Sequence, residues 1–230
     1  MKRVLIIAAH PDDEVLGCFA TIARLIKEGY EAYTLILGYG KSARGGGEVN
    51  LAELETLQNE MRNANKVVGI KEVFSADFPD NAFDSVPLLE IVKKIEEVKR
   101  KILPEIVFTH HIGDINIDHQ ITHNAVLTAT RPKPGETVKV VYAMEVPSST
   151  EWNSYSKETA FVPNVFFDVS ETIDLKIQAL AEYKSELMSY PHPRSLEHVK
   201  NLAKTNGVKV GMEYAEAFVL LRGIFTHEDA

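Results

Sequence analysis

The chain has 230 residues, 45% hydrophobic and 25% charged, ordinary values for one fairly large domain with a proper core. A net charge of −8 argues against a basic nucleic-acid-binding face, and a single cysteine, Cys18, excludes an intramolecular disulfide framework. No apolar run approaches the ~18 to 20 residues of a membrane span, and Leu5 to Ala9 is too short for a signal segment, so the expected location is the cytoplasm.

Arg3 to Ala9 contains a continuous branched apolar run, the pattern of a strand buried on both faces. Val15, Leu16, Phe19, Ile22, Ala23, Leu25 and Ile26 then recur at three- and four-residue spacing and predict an amphipathic helix ending near Gly29. Ala32 to Leu37 reads as a second buried strand. Gly38 to Glu48, with five glycines plus Lys41 and Arg44, reads as a mobile substrate lid, since it carries neither dinucleotide nor P-loop spacing. Helices are predicted over 50–68 and 88–103, with a short strand at 72–74 between them and another at 106–109. Beyond Gly135, strands are expected at 138–143 and 165–169 and a helix at 172–188. A further helix follows Ser195, and a last extended segment covers 213–222. The alternation predicts an α/β fold, a mainly parallel central sheet with helices on both faces. No repeat or linker divides the chain, so a single domain over residues 1–230 is expected.

Two polar clusters stand where strands give way to helices. The first is His10-Pro11-Asp12-Asp13-Glu14. One aspartate could simply cap the helix, but one cap needs one carboxylate, and the surplus would repel without a cation. Pro11 restricts His10 to extended geometry. His10 and Asp13 could then grip a metal, with Asp12 beside it. The second cluster runs from His110 to Gln120 and includes Asn116, Asp118 and His119. Both sit at carboxyl ends of strands, where open sheets bind ligands, so His119 would complete a His-Asp-His triad. Asp118 could hold a histidine ring from behind. His110, His111 and His123 are each read as ordinary hydrogen-bonded histidines.

His10-Pro11-Asp12-Asp13-Glu14 and Asn116-Ile117-Asp118-His119 resemble the paired motifs of the PIG-L/LmbE-like zinc-dependent N-deacetylases. Phe78-Pro79-Asp80-Asn81, His192-Pro193-Arg194-Ser195 and Ala215-Glu216-Ala217-Phe218 extend the likeness over most of the chain. The resemblance implies a Rossmann-like fold and removal of acetyl groups from N-acetylated amino sugars or their conjugates. It implies His10, Asp13 and His119 as ligands of one zinc ion and Asp12 as general base. Asp80, His192 and Arg194 would lie near the sugar. Two positions depart from the pattern. Asn116 stands where many members have histidine, and Leu57 and Gln58 precede Glu60 where many have an arginine. Arg44, Arg62 or Arg194 would then supply that charge.

A three-ligand zinc site leaves room for water and a carbonyl oxygen. The candidate catalytic set is therefore Asp12 as base, Asn116 as donor to the oxyanion, and Asp118 behind the ligands. Nitrogen and oxygen ligands without thiolate also permit other divalent metals. Two rivals stay open: a non-catalytic sugar- or nucleotide-binding module, and a metal-dependent phosphoesterase using Lys41, Arg44 and Arg194. The expected partner is a small N-acetylated sugar, with no nucleic acid, no membrane span, and homo-oligomerisation left open.

Overall fold

The computed structural model describes residues 2–38, 51–154 and 156–225. Five strands run parallel: β1 (Arg3–Ala8), β2 (Glu31–Gly38), β3 (Glu72–Phe78), β4 (Ile106–His110) and β5 (Val140–Met144). β6 (Val165–Asp168) and β7 (Ala215–Gly223) complete a seven-stranded sheet of order β3-β2-β1-β4-β5-β7-β6, with β7 antiparallel to both neighbours. The helices are α1 (Asp13–Lys27), α2 (Leu51–Val68), α3 (Leu88–Ile102), α4 (Ile117–Ala129), α5 (Ile173–Glu182) and α6 (Leu196–Val210).

The unbroken apolar run of β1 follows from burial on both faces. Val4, Ile6 and Ala8 join a core with residues of α1, α2, α5 and α6, whereas Leu5, Ile7 and Ala9 join a second core with α3 and α4. Successive side chains of a strand point to opposite faces, so each layer takes every second residue. α1 approaches β5 closely at Gly17, where an added Cβ would stand 2.4 Å from the Met144 sulfur. Glycine thus lets the second turn of α1 pack close against β5.

Several predicted bounds change. The strand read over 72–74 continues to Phe78, which carries its carboxyl end to the Pro79-Asp80-Asn81 segment. The helix read over 172–188 ends at Glu182, and Tyr183 to Ser195 forms a connection back to the strand ends. Ser195 caps α6, its hydroxyl accepting the His198 amide at 3.1 Å. The loop read as a lid lies, apart from Gly38, outside the described residues, and Lys41 and Arg44 with it. Among the described residues, no helix is long and apolar enough to cross a membrane.

Candidate active site

The sheet order reverses between β1 and β4, the switch point at which α/β sheets leave a crevice beyond their carboxyl ends. His10 follows β1 and His119 lies in the first turn of α4, the helix after β4, so the two polar clusters meet in that crevice.

Asp13 joins them. Its Oδ2 accepts the His10 amide at 2.8 Å and lies 3.5 Å from His10 Nδ1 and 3.3 Å from His119 Nε2. The opposite ring nitrogens face carboxylates. His10 Nε2 is 2.9 Å from Asp118 Oδ2 and 3.1 Å from Asp80 Oδ1, and His119 Nδ1 is 3.0 Å from Asp114 Oδ2. Each imidazole is therefore held from behind with its other nitrogen turned toward Asp13, the arrangement usual for metal-ligating histidines. His10, Asp13 and His119 each offer a ligand atom, all within 4.8 Å of one another.

The charges fit a cation. Burial disfavours charging His10, yet the hydrogen bond to Asp118 and the contact with Asp13 push it up to about 9. Burial opposes charging His119 too, but the Asp13 charge and the Asp114 hydrogen bond push it up to about 10. The cluster thus calls for positive charge between its carboxylates, which two protons or one divalent ion would supply. Its imidazole and carboxylate donors suit zinc and other first-row divalent metals.

Asp12 occupies the N-cap position of α1 but makes no side-chain cap hydrogen bond. Its φ of 97° lies in the left-handed region that few non-glycine residues occupy. Glu14, fully buried, holds that backbone: its Oε2 accepts the Asp12 amide at 3.1 Å. Glu14 Oε1 accepts the Tyr183 hydroxyl at 2.6 Å and Asn65 Nδ2 at 3.0 Å. Burial pushes Glu14 up to about 7, with the Tyr183 hydrogen bond opposing. The Asp12 carboxylate faces the crevice, where Arg194 Nη1 donates to its Oδ2 at 3.1 Å and to Glu186 Oε2 at 3.2 Å. Burial and the Asp13 charge raise Asp12 well above the usual carboxylate range, and Arg194 pulls the other way.

A cavity of about 290 Å³ opens onto this cluster. Its wall includes all three His-Asp-His residues, together with Asp12, Asn116 and Arg194. Asp80, expected near the sugar, is on the wall as well while also touching His10. Asn116 caps α4, its Oδ1 accepting the Asp118 amide at 2.8 Å while Nδ2 donates to Asn81 Oδ1 at 3.2 Å.

Asp118, grouped with the catalytic residues from the sequence, is fully buried and off the cavity wall. Its Oδ2 meets His10 Nε2, and its second oxygen accepts the Phe83 amide at 2.9 Å. His192 also stands off the wall, its Nδ1 accepting the Arg194 amide at 3.1 Å. Arg62 is exposed and donates to Asn59, while Leu57 lines the cavity. Among the described residues, the guanidinium at the site is therefore that of Arg194.

His110, His111 and His123 each make a ring hydrogen bond, and His110 also groups with Asp114 and His119 as a further set that could hold a metal ion. His110 Nε2 accepts the Ala9 amide at 2.8 Å, His111 Nδ1 accepts the Gly113 amide at 3.1 Å, and His123 Nδ1 meets the His110 carbonyl at 2.9 Å. Burial, with His119 stacked on its ring, drives His110 down to about 3. Reading the sequence missed Asp114, which lies in the second cluster and accepts from Ser149 Oγ, from Thr150 Oγ1 at 2.7 Å and from the Asn116 amide at 2.8 Å. It also missed Tyr183 and Glu186, which periodicity had placed inside a longer helix.

These features define an α/β protein with a candidate metal centre and an acidic side chain beside it at the switch point of its sheet. The chain belongs to the PIG-L family, described as GlcNAc-PI de-N-acetylase, whose model matches residues 5–130. It is 30% identical over 190 residues to the uncharacterized deacetylase YaiS of Escherichia coli, spanning 80% of this chain and 91% of that one. Similarity to the diacetylchitobiose deacetylase of Thermococcus kodakarensis covers 99% of this chain and 86% of the relative, at 27% identity. A conserved protein of Thermus thermophilus has the same fold, with a TM-score of 0.76 at 26% identity over 98% of this chain and 97% of that one.

Proposed function

We propose that this chain is a metal-dependent N-deacetylase acting on N-acetylated amino sugars or their conjugates, with one zinc ion held by His10, Asp13 and His119. One observation carries the reading: the Asp12 carboxylate is turned away from the helix terminus it could have capped and into a cavity beside the His-Asp-His cluster. The family match and a relative named for diacetylchitobiose support the substrate class.

His10, Asp13 and His119 would hold the divalent ion, whose chemistry there would be to acidify a water and polarise the acyl carbonyl. Asp12 takes the water's proton and returns it to the amine nitrogen as the C–N bond breaks. Arg194, which donates to both Asp12 and Glu186, holds the Asp12 carboxylate in place for both transfers. An amide carries two N–H groups, so Asn116 keeps one Nδ2 hydrogen for the acyl oxygen as negative charge develops there. Asp80 and Arg194 offer an acceptor and a donor to sugar hydroxyls. The test is acetate release by metal-loaded protein from N-acetylhexosamines, their nucleotide and lipid conjugates, and N-acetylated thiol glycosides. Acetate release from at least one is expected; no release from any of them would overturn the reading.

A further inference from the structure

Trp152 is the only tryptophan of the chain, and it is 54% exposed. A single exposed aromatic residue is ordinary. Its position here is not. It ends a 3-10 turn, Thr150–Trp152, that directly follows Ser148 and Ser149 on the cavity wall. Its ring stands edge-on to His192, with centroids 5.7 Å apart and planes at 83°. His192 in turn accepts the amide of Arg194, on the same wall. Two aromatic rings from distant segments thus meet beside the cavity without lining it.

The cavity itself holds little. Its roughly 290 Å³ lies at the small end of ligand pockets, which span about 300–1,000 Å³, room for one sugar ring rather than two. Its charge is acidic: Asp12, Asp13, Asp80 and Glu186 face Arg194, which already bridges Asp12 and Glu186. Among the described residues, Arg194 is the one guanidinium on its wall.

We infer that Trp152, backed by His192, is the platform for the second ring of a disaccharide whose acetamido ring occupies the cavity. A pyranose is itself amphipathic. Its C–H face can cover the indole while its edge hydroxyls stay in water, the half-apolar, half-wet contact in which tryptophan excels. The identity of the ring in the cavity rests on the deacetylase reading; the platform rests on the placement of Trp152 and His192.

Because there is one tryptophan, its emission reports on this contact alone. Rapid mixing with N,N′-diacetylchitobiose, read before turnover, is expected to change the emission saturably, and N-acetylglucosamine is expected not to. In steady state, Trp152→Ala should raise KM for the disaccharide about tenfold, the scale of one aromatic contact. Its kcat and the KM for the monosaccharide should stay nearly as they were, and Trp152→Phe should recover most of the loss. No emission change with the disaccharide, the same response to one ring as to two, or equal KM rises for both sugars would overturn the platform. A disaccharide-specific response in protein that releases no acetate would instead uphold the platform and overturn the deacetylase reading.

Discussion

Asp118 Oδ2 lies 2.9 Å from His10 Nε2 across 108 residues of sequence. The contact ties the first turn of α4 to the loop after β1, and so fixes the ring of one proposed metal ligand from the far side of the switch point. Asp118→Ala should therefore weaken metal binding by roughly 10- to 100-fold, the usual cost of losing such a partner. Chelator competition on folded protein measures it. Affinity equal to that of the parent chain would show that Asp80 alone suffices to hold the ring.

Glu14 gives a separate prediction, because it accepts from the Asp12 amide, Tyr183 and Asn65 at once. Glutamine keeps one accepting oxygen and turns an NH₂ group toward a donor. Glu14→Gln should loosen the left-handed turn at Asp12 and lower kcat by roughly 10- to 100-fold, the scale of a small misplacement of a reacting group. Metal content and KM should change little. Steady-state kinetics beside elemental analysis separate this from metal loss, and a rise in KM alone would contradict it.

Much of this site is visible in the sequence because each cluster is short and sits beside an unmistakable element. The apolar run of β1 and the spacing of Val15, Leu16 and Phe19 bracket His10 to Asp13, and the second cluster follows a strand in the same way. What convergence would do to each side chain is less visible. Asp114 and Asp118 are both aspartates near His119, and only the packed fold shows that one holds His119 while the other reaches His10. Tyr183 and Glu186 were hidden for a different reason. Leu180, Ala181 and Leu187 continue a helical period past Glu182, where the chain in fact leaves α5 to bring Arg194 back over Asp12. The antiparallel insertion of β7 between β5 and β6 depends on long-range pairing that no local pattern encodes.

Glu145 makes the stability depend on pH. Burial, reinforced by the charge of Glu151, pushes it up to about 7 from an ordinary value of 4.5, with Lys209 and Lys176 opposing. A raised folded-state value means that the native chain holds this proton more tightly than the unfolded chain. The corresponding stability is fully present below pH 4.5 and is lost as the pH rises through about 7. Glu145→Gln should therefore be more stable than the parent at pH 8, by something on the order of 1 to 3 kcal/mol, and no more stable than the parent at pH 4. Thermal melts at the two pH values check it; the same difference at both would refute the assignment.

The most direct test of the whole account is Asp12→Asn, with metal content and turnover measured on the same preparation. Asparagine is nearly isosteric and caps a helix about as well as aspartate, and the His10, Asp13 and His119 side chains stay as they are. The account predicts about one metal ion per chain and a folded protein whose acetate release falls by roughly 10² to 10⁴, the contribution of a positioned general base. A metal-loaded Asp12→Asn protein with full activity would contradict it.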